Sequence, residues 1–168
     1  MKNNSKPSFE EVIKTNTNAI YRICRIYAIS PLEPQDLFQE VIFEAWKSYS
    51  SFKGNSSINT WLYRIAINVC LRSKIQLEKK KSKTTRFDAI QFMATEEDST
   101  YKEDERYKLL RECISGLNPT DTSLLVLHLE EMPYKEIAEV TGLTENHIAV
   151  KMKRIRKRLF DCMKPKMS

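Results

Sequence analysis

Glycine occurs only three times in this 168-residue chain, at positions 54, 116 and 142, and each falls where a helical pattern stops or a loop turns. No segment alternates cleanly between apolar and polar residues, while apolar residues recur at three- and four-residue steps throughout. The expected fold is all-α, without internal repeats.

The first helix is expected from Ser8 to Ile29, on a stripe of Phe9, Val12, Ile13, Ile20, Ile23, Cys24 and Tyr27, ending at Ser30-Pro31. Pro34 opens a second helix to about Ser48, its apolar side carrying Leu37, Phe38, Val41, Ile42, Ala45 and Tyr49. Asp36, Gln39, Glu40, Phe43 and Lys47 lie opposite. An outward phenylalanine on an acidic face either docks a partner or packs under a loop. After a serine-rich loop, capped by Ser56 or Ser57, a third helix runs from Ile58 to about Ile75 with apolar groups on most sides, which suits the middle of a bundle.

Residues 77–103 change character, with Lys79-Lys80-Lys81 followed by an acidic stretch and few large aliphatics, as in a flexible linker. Two further helices follow: Asp104 to Ser115, stopped by Gly116, and one opened by Asn118-Pro119 with Leu124, Leu125, Leu127 and Leu129 expected in its core.

Pro133 to Phe160 then reads as a helix-turn-helix. A short helix over Tyr134 to Val140 meets Thr141-Gly142, and Thr144 caps a longer helix. Ile148, Met152, Ile155 and Leu159 form its packing stripe, and six Lys or Arg between Lys151 and Arg158 face a single acid at Glu145. Duplex DNA is the expected ligand of that basic face.

Charge supports this division. Ten basic residues oppose six acidic ones over residues 1–76, six oppose eight over 77–105, and twelve oppose eight over 106–168. Two basic modules flanking an acidic joint favour a polyanionic partner. The four cysteines are far apart without metal-ligand spacing, so they are expected to be reduced and mostly buried, with no metal or cofactor. No N-terminal apolar leader and no apolar run of membrane-spanning length is present, so a soluble, cytoplasmic protein is expected. No paired carboxylates, nucleophile–base motif or phosphate-binding glycine loop points to an enzyme.

The order Asp36-Leu37-Phe38-Gln39-Glu40-Val41, Ala45-Trp46, Phe52, Gly54 and Thr60-Trp61-Leu62-Tyr63-Arg64-Ile65-Ala66 to Asn68, followed by Tyr134-Lys135-Glu136-Ile137-Ala138 and a basic helix ending Arg154-Ile155-Arg156-Lys157-Arg158-Leu159, resembles the extracytoplasmic-function (ECF) group of bacterial sigma-70 factors. The resemblance implies a non-catalytic initiation factor with a sigma-2-like bundle at residues 8–76, a linker at 77–103 and a sigma-4-like domain at 104–162. Its partners would be core RNA polymerase, promoter DNA and an anti-sigma factor, with no small-molecule substrate.

By the same resemblance, Asp36, Gln39, Glu40 and Phe43 would dock on polymerase. The loop Phe52 to Ser57 looks like the family's pocket for a base flipped from the minus-10 element, with Phe52, Asn55, Ser56 and Asn68 as contacts. Phe52 is equally suited to anchoring the loop on the core. Asn146, His147, Ala149, Val150, Lys153, Arg154 and Lys157 would meet the minus-35 duplex. His147 can instead be an ordinary first-turn residue. Ala149 and Val150 depart from the basic and small polar residues common in the family, which bears on promoter sequence rather than docking mode. The linker's counterpart threads through polymerase, so its acidic half, Glu96 to Glu105, would order on assembly. The competing reading is a stand-alone helix-turn-helix regulator.

Overall fold

The computed structural model describes residues 5–28, 30–83 and 104–167. Within them lie seven helices and no strand: α1 (Phe9–Tyr27), α2 (Pro34–Tyr49), α3 (Ile58–Lys83), α4 (Glu105–Ser115), α5 (Pro119–Leu129), α6 (Tyr134–Thr141) and α7 (Glu145–Met167). Of the stretch 77–103 expected to be a linker, residues 77–83 belong to α3 and residues 84–103 lie outside the described residues, as does the acidic half that would order on assembly except for Asp104 and Glu105.

Local signals set most helix ends. Ser8 and Glu11 form a reciprocal capping box at the start of α1, the Glu11 amide donating to Ser8 Oγ at 3.2 Å and the Ser8 amide to Glu11 Oε2 at 2.9 Å. Ser57 Oγ takes the Thr60 amide at 3.1 Å, which makes Ser57 rather than Ser56 the cap of α3. α3 continues to Lys83, two turns past the expected end at Ile75. Gln76 to Lys83 contains good helix formers and neither proline nor glycine, so a helix already anchored by tertiary contacts propagates through it.

α1, α2 and α3 pack as a triangular bundle around Ile20, Ile23, Cys24, Leu37, Val41, Ala45, Leu62, Ala66 and Cys70, all buried. Asn16 is buried among them with its polar atoms partnered, Nδ2 donating to the Val12 carbonyl at 2.8 Å and Oδ1 accepting from the Tyr63 hydroxyl at 3.4 Å. α4 to α7 form the second module around Leu124, Val126, Leu127, Ile137, Ile148, Met152 and Ile155. Leu129, expected in this core, is instead 50 % exposed, and Val126 is buried in its place. Leu129 is the last residue of α5, and an apolar run of this kind does not itself say which of its members meets the neighbouring helices.

The cysteine expectation also needs correction. Cys113 on α4 and Cys162 on α7 are joined by a disulfide, their Cα atoms 6.0 Å apart, whereas Cys24 and Cys70 are free and buried. Forty-nine residues separate the bonded pair, so only the packing of α4 against α7 brings them together.

The two modules share one continuous apolar core. Across it, the Tyr27 hydroxyl lies 3.3 Å from Ser123 Oγ, and burial holds that phenol well above its ordinary pKa. Arg22 forks onto Glu130, and the Thr60 hydroxyl, itself buried, donates to Glu136 Oε2 at 3.2 Å.

Candidate nucleic-acid and partner interfaces

The α6–α7 turn presents a helix with one dry and one wet side. Gly142 adopts φ 75° at the end of α6, and its amide donates to the Ala138 carbonyl at 2.9 Å. A side chain there would carry the strain of the left-handed region, so the tight exit requires glycine. Thr144 Oγ1 accepts the His147 amide at 3.1 Å and caps α7. Ile148, Met152 and Ile155 are buried, which turns Asn146, His147, Ala149, Val150, Lys153, Arg154 and Lys157 outward, all exposed.

The basic run divides by partner. Lys151 is half-buried and bonded to Asp121 Oδ1 at 3.3 Å, so it braces α7 on α5. Arg156 Nη2 lies 3.0 Å from His128 Nε2, and burial together with this guanidinium lowers the imidazole's proton affinity. Lys157 reaches Asp161 at 3.1 Å on the surface. Lys153 and Arg154 carry no ion pair among the described residues and stand at the middle of the exposed face.

In the first module, Asp36, Gln39, Glu40 and Phe43 share the exposed side of α2, with Phe43 52 % exposed. Phe43 is therefore not packed under a loop. Phe9, Phe38, Gln39, Ile42, Phe43 and Trp46 line an open apolar groove of about 400 Å³ beside it. Trp46, 64 % exposed, joins this face, because its spacing from Phe43 and Gln39 puts it on the same side.

The serine-rich loop ends where aromatic rings converge. Phe52 is half-buried, its ring centroid 5.2 Å from that of Trp61, which lies 6.0 Å from Tyr49. Lys6 Nζ sits 4.0 Å from the Tyr49 centroid and 5.6 Å from that of Phe52. Phe52 thus anchors the loop on the core and keeps part of its ring open. Asn55 is exposed and Ser56 half-buried in the same loop. Asn68 stands on the exposed side of α3, ten residues past Ile58 and so about 15 Å along the helix. Phe52, Asn55 and Ser56 thus share one loop, and Asn68 stands farther along α3.

Two family models match this chain: Sigma-70 region 2 over residues 12–80, and Sigma-70, region 4 over residues 107–159, together well over half of its length. The chain belongs to the sigma-70 family. Its relatives place it in the ECF group. SigV of Bacillus subtilis is 24 % identical over 93 % of this chain and 91 % of its own length, and the ECF sigma-E factor of Escherichia coli is 25 % identical over 77 % and 73 %. SigG of Mycobacterium tuberculosis is 54 % identical over 39 residues, a match that spans 23 % of this chain and only 10 % of that protein. Among solved structures, the sigma factor RpoE in complex with the anti-sigma factor NepR, from Bartonella quintana, shares the fold at a TM-score of 0.70 and 18 % identity, covering 93 % of this chain and 96 % of that one. CnrH, in complex with the cytosolic domain of CnrY, aligns at 0.65 and 16 % identity, over 94 % and 88 %. In this sigma-family chain the region 2 match takes in nearly all of α1 to α3, and the region 4 match runs from the first turn of α4 to Leu159. Among the described residues no helix is long and apolar enough to cross a membrane, and no cluster of three His, Cys, Asp or Glu could hold a metal.

Proposed function

We propose that this chain is a sigma factor that binds core RNA polymerase, directs it to particular promoters and holds the upstream edge of the melted bubble. The observation that carries the reading is the succession of both matches on one chain, with an exposed acidic-aromatic face in the first and an exposed basic face in the second.

The α2 face, with Asp36, Gln39, Glu40 and Phe43, docks on polymerase. Around residues 52–68, Phe52, Asn55, Ser56 and Asn68 receive a minus-10 strand whose base has left the stack. A base held by an aromatic face and small polar groups gains roughly 1–3 kcal/mol from stacking. Because only the open strand fits, binding shifts the duplex toward melting without breaking a covalent bond. The α7 face enters the minus-35 major groove, where Lys153 and Arg154 meet phosphate or guanine edges, Asn146 an adenine, and Val150 a thymine methyl.

Such a role needs no catalytic group, cofactor or small-molecule substrate. The relatives solved with anti-sigma proteins support an anti-sigma partner here as well. A stand-alone regulator would use the α7 face but would leave the region 2 match without a task.

Reconstitution with core polymerase tests the proposal. A stable complex and promoter-specific run-off transcription are expected; a folded chain that yields neither overturns it.

A further inference from the structure

The four cysteines make two pairs of opposite character. Cys24 on α1 and Cys70 on α3 are fully buried, and contact with the Cys24 thiol together with burial raises the proton affinity of Cys70. Thiols sealed away from solvent in apolar surroundings are chemically quiet. Cys113 and Cys162 are already bonded, and their exposure is unequal: Cys113 is buried, while Cys162 is half-exposed near the end of α7. A small thiolate therefore reaches Cys162 Sγ first. Arg158 and Lys166, exposed one helical turn before and after it, offer positive charge to that anionic attacker.

We propose that Cys113 and Cys162 are a reversible redox modification site, oxidised by low-molecular-weight disulfides and reduced by small thiols, which ties the end of α7 to α4 or releases it. In the oxidising direction the Cys162 thiolate attacks a small disulfide. A protein–small-molecule S–S bond forms as the small disulfide's bond breaks, and one small thiolate leaves. The Cys113 thiolate then attacks Cys162 Sγ and expels the second. Two electrons pass from the cysteine pair to the small disulfide, and the two cysteine protons end on the released thiols. Reduction runs the same steps backward.

The bond matters because it is a covalent tie between the last turns of α7 and α4. Past Leu159, Phe160 is 61 % exposed, and Pro165 cannot donate the helical bond to the Asp161 carbonyl. The other partner, α4, reaches the first module, since the Arg25 guanidinium lies 4.6 Å from the Tyr107 ring centroid. One covalent link thus joins the helix with the exposed basic face to the helix that touches α1.

The test uses the intact chain, equilibrated in native buffer with graded mixtures of reduced and oxidised glutathione, quenched by alkylation and mapped by peptide mass spectrometry. Cys113 and Cys162 should convert together, with a midpoint inside the series, while Cys24 and Cys70 stay unmodified until the chain is unfolded. Hydrogen exchange over residues 160–167 should quicken about tenfold on reduction. Cys113→Ser should leave Cys162 carrying glutathione, with fast exchange in every mixture. A bond that survives excess reduced glutathione in the folded protein, a pair that stays reduced in excess oxidised glutathione, or an unchanged exchange rate would each overturn the proposal. The titration and exchange measurements on the natural chain decide it even if the variant does not fold.

Discussion

Arg22 on α1 and Glu130 after α5 meet in a two-pronged ion pair, Nε to Oε1 at 2.9 Å and Nη2 to Oε2 at 2.7 Å, that bolts the first module to the second. The guanidinium side chain is 57 % exposed and the carboxylate side chain only 7 %. Glu130 raises the proton affinity of Arg22 further above its already high ordinary value, chiefly through the hydrogen bonds.

That asymmetry predicts unequal mutants. Arg22→Ala strands a nearly buried carboxylate, whereas Glu130→Ala releases an arginine that water can solvate. Arg22→Ala should therefore separate the modules far more than Glu130→Ala, as a larger radius of gyration in small-angle scattering. Two equal responses would mean that the apolar core alone holds the modules together. Minus-10 and minus-35 elements lie some 25 base pairs apart, about 85 Å of duplex at 3.4 Å per step, and a compact chain of this size is only about 40 Å across. Under the proposed function Arg22→Ala should accordingly favour the promoter-bound form.

His128 links stability to pH. Burial and the nearby Arg156 guanidinium depress its pKa below the ordinary 6.5, so the folded state holds fewer protons than the unfolded one in that interval. The contribution is fully present above pH 6.5 and is lost as pH falls through the folded-state value. Titration of the imidazole by NMR should give a midpoint below that of a model peptide. Arg156→Gln should move it upward.

Much of this architecture was readable in the sequence because local rules decide it. Asn118, Thr144 and Gly142 are punctuation that acts within a few residues, and all three stand where the pattern put them. The outward face of α7 followed from period alone, since Ile148, Met152 and Ile155 leave it no other orientation. What escaped depends on contacts between distant elements. The Cys113–Cys162 bond, the Arg22–Glu130 fork and the burial of Thr60 against Glu136 each join residues 49 or more positions apart. Leu129 failed for a related reason, because an apolar run such as Leu124 to Leu129 does not say which of its members meets the neighbouring helix.

Asn118 offers a clean test of local energetics. Its Oδ1 accepts the Asp121 amide at 2.8 Å, and its Nδ2 donates to Asp121 Oδ2 at 3.1 Å, so the side chain closes the first turn of α5. Asn118→Ala should cost about 1 kcal/mol, and Asn118→Gly only a few tenths. Thermal melts followed by circular dichroism should rank the three chains in that order. An alanine variant as stable as the natural chain would show that Pro119 alone suffices to start the helix.

Trp46 separates surface from core in the first module. Most of its area faces solvent beside Phe43 and the apolar groove, so Trp46→Ala should change the melting temperature little. If that face docks on polymerase, the same change should weaken the complex at least tenfold in a competition assay, because large aromatics dominate such contacts. Unaltered affinity would remove Trp46 from the interface.

The strongest test of the α7 face is one that improves binding. Lys157 points to the same side as Lys153 and Arg154 but spends its charge on Asp161, 3.1 Å away, in a pair whose side chains are 80 % and 59 % exposed. An exposed pair of this kind contributes little to stability, so Asp161→Asn should leave the fold intact. It should also free one cation for a phosphate. Each phosphate neutralised on B-DNA adds about 0.9 to the slope of log affinity against log salt. Affinity of Asp161→Asn for minus-35 duplex should therefore rise at low salt and fall more steeply as salt is added, with the slope larger by up to about one. Arg154→Ala should move both quantities the other way. If Asp161→Asn left the slope unchanged while Arg154→Ala lowered it, the DNA would contact the first turns of α7 and end before Lys157, which sets how far along the helix the duplex runs.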